Sequence, residues 1–176
     1  MLSLVQIGSK PHEQEVEIFL RTRAVIHEEK GNCSTNLFLP QDREIVIGFL
    51  SSSHIPLKVD KDLRETWKIS NKKLPMDPVQ AAYIVAFGVD ERYRGHGEGY
   101  GKEIHAAFIR SLTQSMVRPR FVFLKVWDDS PAVRLYENLG YRRLGATDAP
   151  ELEDRFGVQV GRLKMVLDRF QVPPTT

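Results

Sequence analysis

The chain has 176 residues, 41% hydrophobic and 27% charged, which is the composition of an ordinary globular domain and too apolar for a wholly disordered one. Its 25 Lys and Arg against 23 Asp and Glu leave a net charge of +2, so global electrostatics give no support to a dominant nucleic-acid-binding role. The lone cysteine, Cys33, excludes an intrachain disulfide framework and a Cys-rich zinc site, and no apolar run approaches the ~20 residues that span a bilayer. Met1 to Gln6 has neither a basic leader nor a long apolar stretch, so the expected setting is cytoplasmic, with no membrane partner.

The sequence reads as a single domain over residues 1–170, interrupted at 55–80, with a flexible tail at 171–176. Val16, Phe19, Leu20 and Ala24 recur at helical spacing and predict a helix over Glu13 to Glu29, ended by Gly31-Asn32. A short strand is expected at Asn36 to Leu39 and a second at Glu44 to Leu50, joined by a turn at Gln41-Asp42-Arg43. The piece from Pro56 to Gln80 then separates two strands that would otherwise be adjacent. Within it, Lys58 to Lys73 carries six basic residues against three acidic ones, with Leu63 and Trp67 four apart. Ala81 to Val89 is nearly continuously apolar, as in a strand buried on both faces. A helix over Gly101 to Met116 follows, burying Ile104, Ala107, Phe108 and Leu112 and leaving His105 on its surface. Phe121 to Trp127 is the next strand. A short helix begins at Ser130-Pro131 and ends near Gly140, and the final strands lie at Tyr141 to Leu144 and Gly161 to Leu167.

Between the buried strand and the helix stands Val89-Asp90-Glu91-Arg92-Tyr93-Arg94-Gly95-His96-Gly97-Glu98-Gly99-Tyr100-Gly101-Lys102. Alternating glycines let a loop turn its amide hydrogens inward, and the helix start adds unsatisfied amides and a partial positive charge. Together they form an anion cradle suited to phosphate or diphosphate. It is not a Walker loop, because His96 stands where the first glycine belongs and Glu103 where Ser or Thr would hold magnesium. The Gly-x-Gly-x-x-Gly fingerprint also fails, meeting Tyr100, Lys102 and Ile104 in its three registers.

Arg94-Gly95-His96-Gly97-Glu98-Gly99 resembles the diphosphate loop Arg/Gln-x-x-Gly-x-Gly/Ala of the GNAT superfamily of acyl-CoA-dependent N-acetyltransferases. Ala132-Val133-Arg134-Leu135-Tyr136-Glu137-Asn138-Leu139-Gly140-Tyr141 resembles the superfamily's second hallmark, a short helix Ala-x-x-Leu-Tyr-x-x-x-Gly-Phe/Tyr. The two motifs in this order cover about Ala81 to Leu144. The resemblance implies an α/β (α+β) fold with a single mixed, mostly antiparallel central sheet flanked by helices. It also implies acetyl-CoA as cosubstrate with no metal, Arg94 and the loop glycines at the diphosphate, and backbone contacts from Phe87 and Val89 to the pantetheine arm. Tyr136 is implied as general acid to the departing thiolate. In the family, the second motif glycine precedes the first core residue of the helix by three, and counting back from Ile104 reaches Gly101 rather than Gly99. The expected cofactor set is therefore Phe87, Val89, Arg94, Gly95, His96, Gly97, Gly99, Gly101 and Lys102, with either Gly97/Gly99 or Gly99/Gly101 as the working pair and His96 as a rival anchor to Arg94.

The expected reaction is direct attack by a primary amine of a small molecule or peptide on the thioester, since Cys33 has no activating motif. Glu44, His54, Tyr83, Asp90, Asp128 and Asp129 are candidates for the base, and Glu151, Glu153 and Asp154 for a carboxylate-rich acceptor cleft. A nucleic-acid partner is not expected, and homodimerisation is a habit of the family. Two alternatives stand beside this reading. One is a CoA-binding module without catalysis; the other is a protein- or RNA-associated acetyltransferase docking through Lys58 to Lys73.

Overall fold

In the computed structural model, residues 5–39, 45–59, 64–65, 78–95, 97, 99–144 and 163–170 are described, and regular structure begins at Pro11. Helix α1 (Pro11–Ile18) opens there because a first helical position needs no backbone N–H. It runs through a wider π turn at Phe19–Arg23, where the Ala24 N–H bonds to Phe19 O, into α2 (Ala24–Glu29). The expected helix is thus present, two residues longer at its start, with Phe19 and Ala24 buried and Val16 and Leu20 half-buried.

Strands β1 (Ser34–Phe38) and β2 (Gly48–Leu57) pair antiparallel, from Ser34 opposite Ser52 to Phe38 opposite Gly48. The hairpin is the expected one, and its predicted turn at Gln41-Asp42-Arg43 lies outside the described residues. β2 runs seven residues beyond the predicted end at Leu50. Beyond that end Ser51 is fully buried with its Oγ 2.8 Å from Thr35 Oγ1, and Ser53 Oγ donates to Asn32 O at 2.6 Å. With their hydroxyls satisfied, serines no longer break a strand. Most of the basic stretch beyond, including Leu63 and Trp67, lies outside the described residues.

The remaining elements are β3 (Val79–Val89), α3 (Tyr100–Gln114), β4 (Phe121–Val126), α4 (Ala132–Asn138), β5 (Arg142–Arg143) and β6 (Leu163–Asp168). Within β3 every residue from Ala81 to Ala86 is buried, as a segment covered on both faces requires. The strands form one mixed sheet in the order β1-β2-β3-β4-β6-β5, flanked by helices. β4 with β6 and β5 with β6 are antiparallel pairs. Among the described residues, no helix is long and apolar enough to cross a membrane.

The chain divides into two compact units, Met1–Ser53 with Ile84–Arg118 and Asp154–Val160, and His54–Tyr83 with Pro119–Glu153 and Gly161–Thr176. In the first, Phe19, Phe49, Leu50 and the Ile104, Phe108 and Leu112 stripe of α3 are buried. In the second, the buried Phe121, Phe123, Met165 and Val166 come from paired strands. There Arg120 bonds both oxygens of Asp168, at 3.0 and 2.7 Å, with its guanidinium 5.3 Å from the Phe121 and Phe170 ring centres.

Candidate active site

Beyond β3 the backbone turns at Asp90 into a single 3-10 turn, Glu91–Tyr93, and then into the glycine loop. The Asp90 side chain is fully buried and accepts four hydrogen bonds: from the amides of Gln6 and Arg92, both at 2.9 Å, and from Arg92 Nε and Nη2, both at 2.8 Å. Burial opposes its charge, but the Arg92 and Gln6 bonds outweigh it and hold the carboxyl below its ordinary range. Asp90 is therefore a structural clamp, which removes it from the candidate bases.

Gly95, Gly97 and Gly99 take φ of +80°, +80° and +71°, and Gly99 caps α3. A side chain at Gly97 would be strained at that φ although nothing lies within 4 Å of where its Cβ would stand. Gly101, by contrast, is the second residue of α3 and shares none of this conformation. The amides of Lys102 and Glu103 bond Gly99 O, at 2.8 and 3.1 Å, so Lys102 has its exposed side chain rather than its amide to offer. His96 lies outside the described residues.

The two arginines of the loop are used differently. Arg92 spends the Nε/Nη2 edge of its guanidinium on Asp90. Among the described residues Arg94 donates through Nη1, to Glu13 Oε1 at 2.7 Å, and its Nε and Nη2 are buried without a hydrogen-bond partner there. Phe87 and Val89, two apart and so on one face of β3, are both half-buried. Between them Gly88 is closely packed, since a Cβ there would stand 2.5 Å from Ile7 Cδ1 and 3.0 Å from Phe49 Cε1.

Tyr136 belongs to the second unit, whereas the loop and the end of β3 belong to the first. The start of α4 is held by Ser130, whose Oγ accepts from the Ala132 amide at 3.3 Å. Tyr136 is buried, 5% exposed, and meets Tyr141 edge-on with ring centres 5.3 Å apart. Burial pushes its phenol well above the usual tyrosine value, so it holds its proton at neutral pH.

Of the other candidates for the base, Glu44 lies outside the described residues, His54, Asp128 and Asp129 are exposed, and Tyr83 is buried against Phe123 with ring centres 5.7 Å apart. The acidic Glu151, Glu153 and Asp154 also lie outside the described residues. His105 corrects the sequence reading: it is 3% exposed rather than on the helix surface, and burial lowers its pKa to about 4. Among the described residues, no group of three or more His, Cys, Asp or Glu is placed to hold a metal ion. Sequence reasoning passed over Glu13, whose only signal was its place two residues after Pro11 at a helix start.

A family model described as "Acetyltransferase (GNAT) family" matches residues 4–141. The chain belongs to the GNAT acetyltransferases. Its fold is similar to that of the toxin AtaT complexed with acetyl-methionyl-tRNAfMet, with 14% identity, 95% of this chain and 88% of that one covered, and a TM-score of 0.67. A tyrosine-to-phenylalanine mutant of AtaT, bound to the C-terminus of the antitoxin AtaR and acetyl-CoA, matches at 12% identity over 95% and 86%, with a TM-score of 0.64. A tyrosine-to-phenylalanine mutant of KacT matches at 15% identity over 84% of each chain, with a TM-score of 0.66. No curated protein matches the sequence.

GNAT enzymes take their acetyl group from acetyl-CoA, and the loop meets the demands of its diphosphate. Buried donors without acceptors are costly, and the Arg94 edge holds two of them beside glycines whose positive φ only a turned backbone explains. Nε and Nη2 form the planar fork that donates to two oxygens of one phosphate.

Proposed function

We propose that this GNAT protein moves the acetyl group of acetyl-CoA onto a primary amine by direct attack, and that the acceptor amine is carried by an aminoacyl-tRNA. The unspent Arg94 fork beside the glycine turns carries the acetyl-CoA half of the reading. The similar fold of AtaT, captured with acetyl-methionyl-tRNAfMet, supports the acceptor half. It favours an RNA-borne amine over the small-molecule or peptide amine expected from sequence, and a nucleic-acid partner where none was expected.

Bound acetyl-CoA supplies the thioester at which a C–N bond forms as the C–S bond breaks. In this reading Arg94, Gly95, His96, Gly97, Gly99, Gly101 and Lys102 hold the diphosphate, and the backbone at Phe87 and Val89 holds the pantetheine arm. A preformed amide there stabilises negative charge on the carbonyl oxygen. Tyr136 keeps a proton on Oη and gives it to the departing sulfur, while the amine nitrogen loses one to solvent or base. Cys33 is buried and its thiol is pushed up by that burial, which makes it a poor nucleophile and disfavours an acetyl-cysteine route.

The test is radiolabelled acetyl-CoA offered with aminoacylated tRNA, with deacylated tRNA, with small amines and with lysine peptides. Label should enter the aminoacylated tRNA and be released with the amino acid on mild alkaline hydrolysis. Equal or faster labelling of the small amines or peptides would overturn the acceptor, and no labelling of any amine would overturn the transferase reading.

A further inference from the structure

Glu13 stands in the first turn of α1, 81 residues from the arginine it bonds. Its Oε1 accepts from Arg94 Nη1 at 2.7 Å and its Oε2 accepts from the Lys10 amide at 3.1 Å, so both oxygens are engaged and the carboxylate is fixed in orientation. Gly8 makes room for it. A Cβ at Gly8 would stand 2.7 Å from the Glu13 carboxyl carbon, and Gly8 has a φ of +137° that side chains rarely adopt. Burial opposes the charge on Glu13, but the bonds from Arg94 and Lys10 outweigh it and hold the carboxyl below its ordinary range, so the partner of Arg94 is an anion at neutral pH.

The pairing is one-sided. A carboxylate opposite a guanidinium commonly takes two parallel N–H groups. Glu13 instead takes the single Nη1, and among the described residues the Nε/Nη2 edge remains buried and unbonded. An arginine side chain with several rotatable bonds loses much of its freedom when a phosphate fixes it, and an arginine already held by its far nitrogen has less to lose.

We infer that Glu13 is a positioning residue for acetyl-CoA: it grips Arg94 by Nη1 and keeps the opposite fork set for two oxygens of the diphosphate. This rests on the reading of the loop as the diphosphate cradle. Gly8 belongs to the same device, because it leaves the space in which the carboxylate lies.

Calorimetric titration of acetyl-CoA, with 31P NMR of the bound ligand, tests the inference on Glu13→Gln, Gly8→Ala and Arg94→Ala. Glu13→Gln keeps an acceptor for the Lys10 amide and removes the charge. Both Glu13→Gln and Gly8→Ala should weaken Kd by about tenfold, the scale of one charge-assisted bond. Both should move the diphosphate 31P resonances and leave the 3′-phosphate resonance in place. Arg94→Ala should weaken Kd at least as much, and Glu13→Gln added to it should cost nothing further. A large effect of Arg94→Ala with none from Glu13→Gln overturns the role of Glu13 and leaves the cradle standing. No effect from Arg94→Ala overturns the use of Arg94 in the cradle itself. Equal movement of the diphosphate and 3′-phosphate resonances in Glu13→Gln would mark a general structural defect and also overturn the inference. Gly8→Ala is confirmatory, so its failure to fold leaves the decision to Glu13→Gln.

Discussion

Asp90 holds Arg92 by both carboxylate oxygens, each 2.8 Å from a guanidinium nitrogen, although the Asp90 side chain is completely buried. The same carboxylate accepts the Gln6 amide, and Glu91 N donates to Gln6 O at 2.7 Å. The loop thus leaves β3 from a point tied to the N-terminal segment, and its direction is set before the first glycine.

Asp90→Asn replaces an acceptor of four bonds by a carboxamide whose nitrogen faces donors. We expect a loss of about 2 kcal/mol, the scale of a buried group left mispaired, measured by urea denaturation at pH 7. The wild-type contribution comes from a depressed carboxyl pKa, so it is complete above the unfolded value of 3.8 and is lost as pH falls below it. The variant should lack that part of the acid limb.

His105 titrates in the opposite chemical sense with the same pH direction. Its folded pKa of about 4 lies below the ordinary 6.5, so the unfolded chain takes up the proton first. The stability of the neutral buried imidazole is complete above pH 6.5 and falls away between 6.5 and 4. His105→Phe should flatten thermal-denaturation midpoints across that window, and an unchanged slope would refute the assignment.

Tyr136→Phe removes one buried hydroxyl and keeps the ring against Tyr141. If the phenol is the proton donor, kcat should drop by about 10²-fold or more, the usual weight of a general acid, while Kd for acetyl-CoA stays within about twofold. Full turnover under chemistry-limited conditions would reduce Tyr136 to a packed ring.

Gly97→Ala and Gly31→Ala form a matched pair. Both positions have positive φ, +80° and +67°, and at both an added Cβ meets nothing within 4 Å. Each substitution should therefore cost about 1–2 kcal/mol of conformational strain. Only Gly97→Ala should weaken acetyl-CoA binding in calorimetry; equal effects on binding would show that loop shape does not matter to the cradle.

The kind and order of the elements, the glycine loop and the Tyr136 helix were all legible in the sequence. Periodicity, capping residues and turn glycines act between neighbours a few positions apart, so Gly31, Ser130 and Gly140 announce their own roles. The extent of β2 was hidden because the partners of Ser51 and Ser53, Thr35 and Asn32, lie far back in the chain. His105 was misread because it follows Ile104 at the margin of the apolar stripe, where periodicity alone does not say how far the packing reaches.

Within the candidate site, residue types came from the sequence and their division of labour from the fold. Arg92 and Arg94 are two apart and chemically identical, and the motif singled out only the second. Arg92 is spent on Asp90, two residues away, a carboxylate that the Gln6 amide reaches from 84 residues away, and Arg94 gives Nη1 to Glu13, 81 residues away. Local sequence set each side chain's chemistry because that chemistry is covalent. Which hydrogen bonds were already used was decided in three dimensions, because a donor's availability depends on every acceptor that packing brings to it.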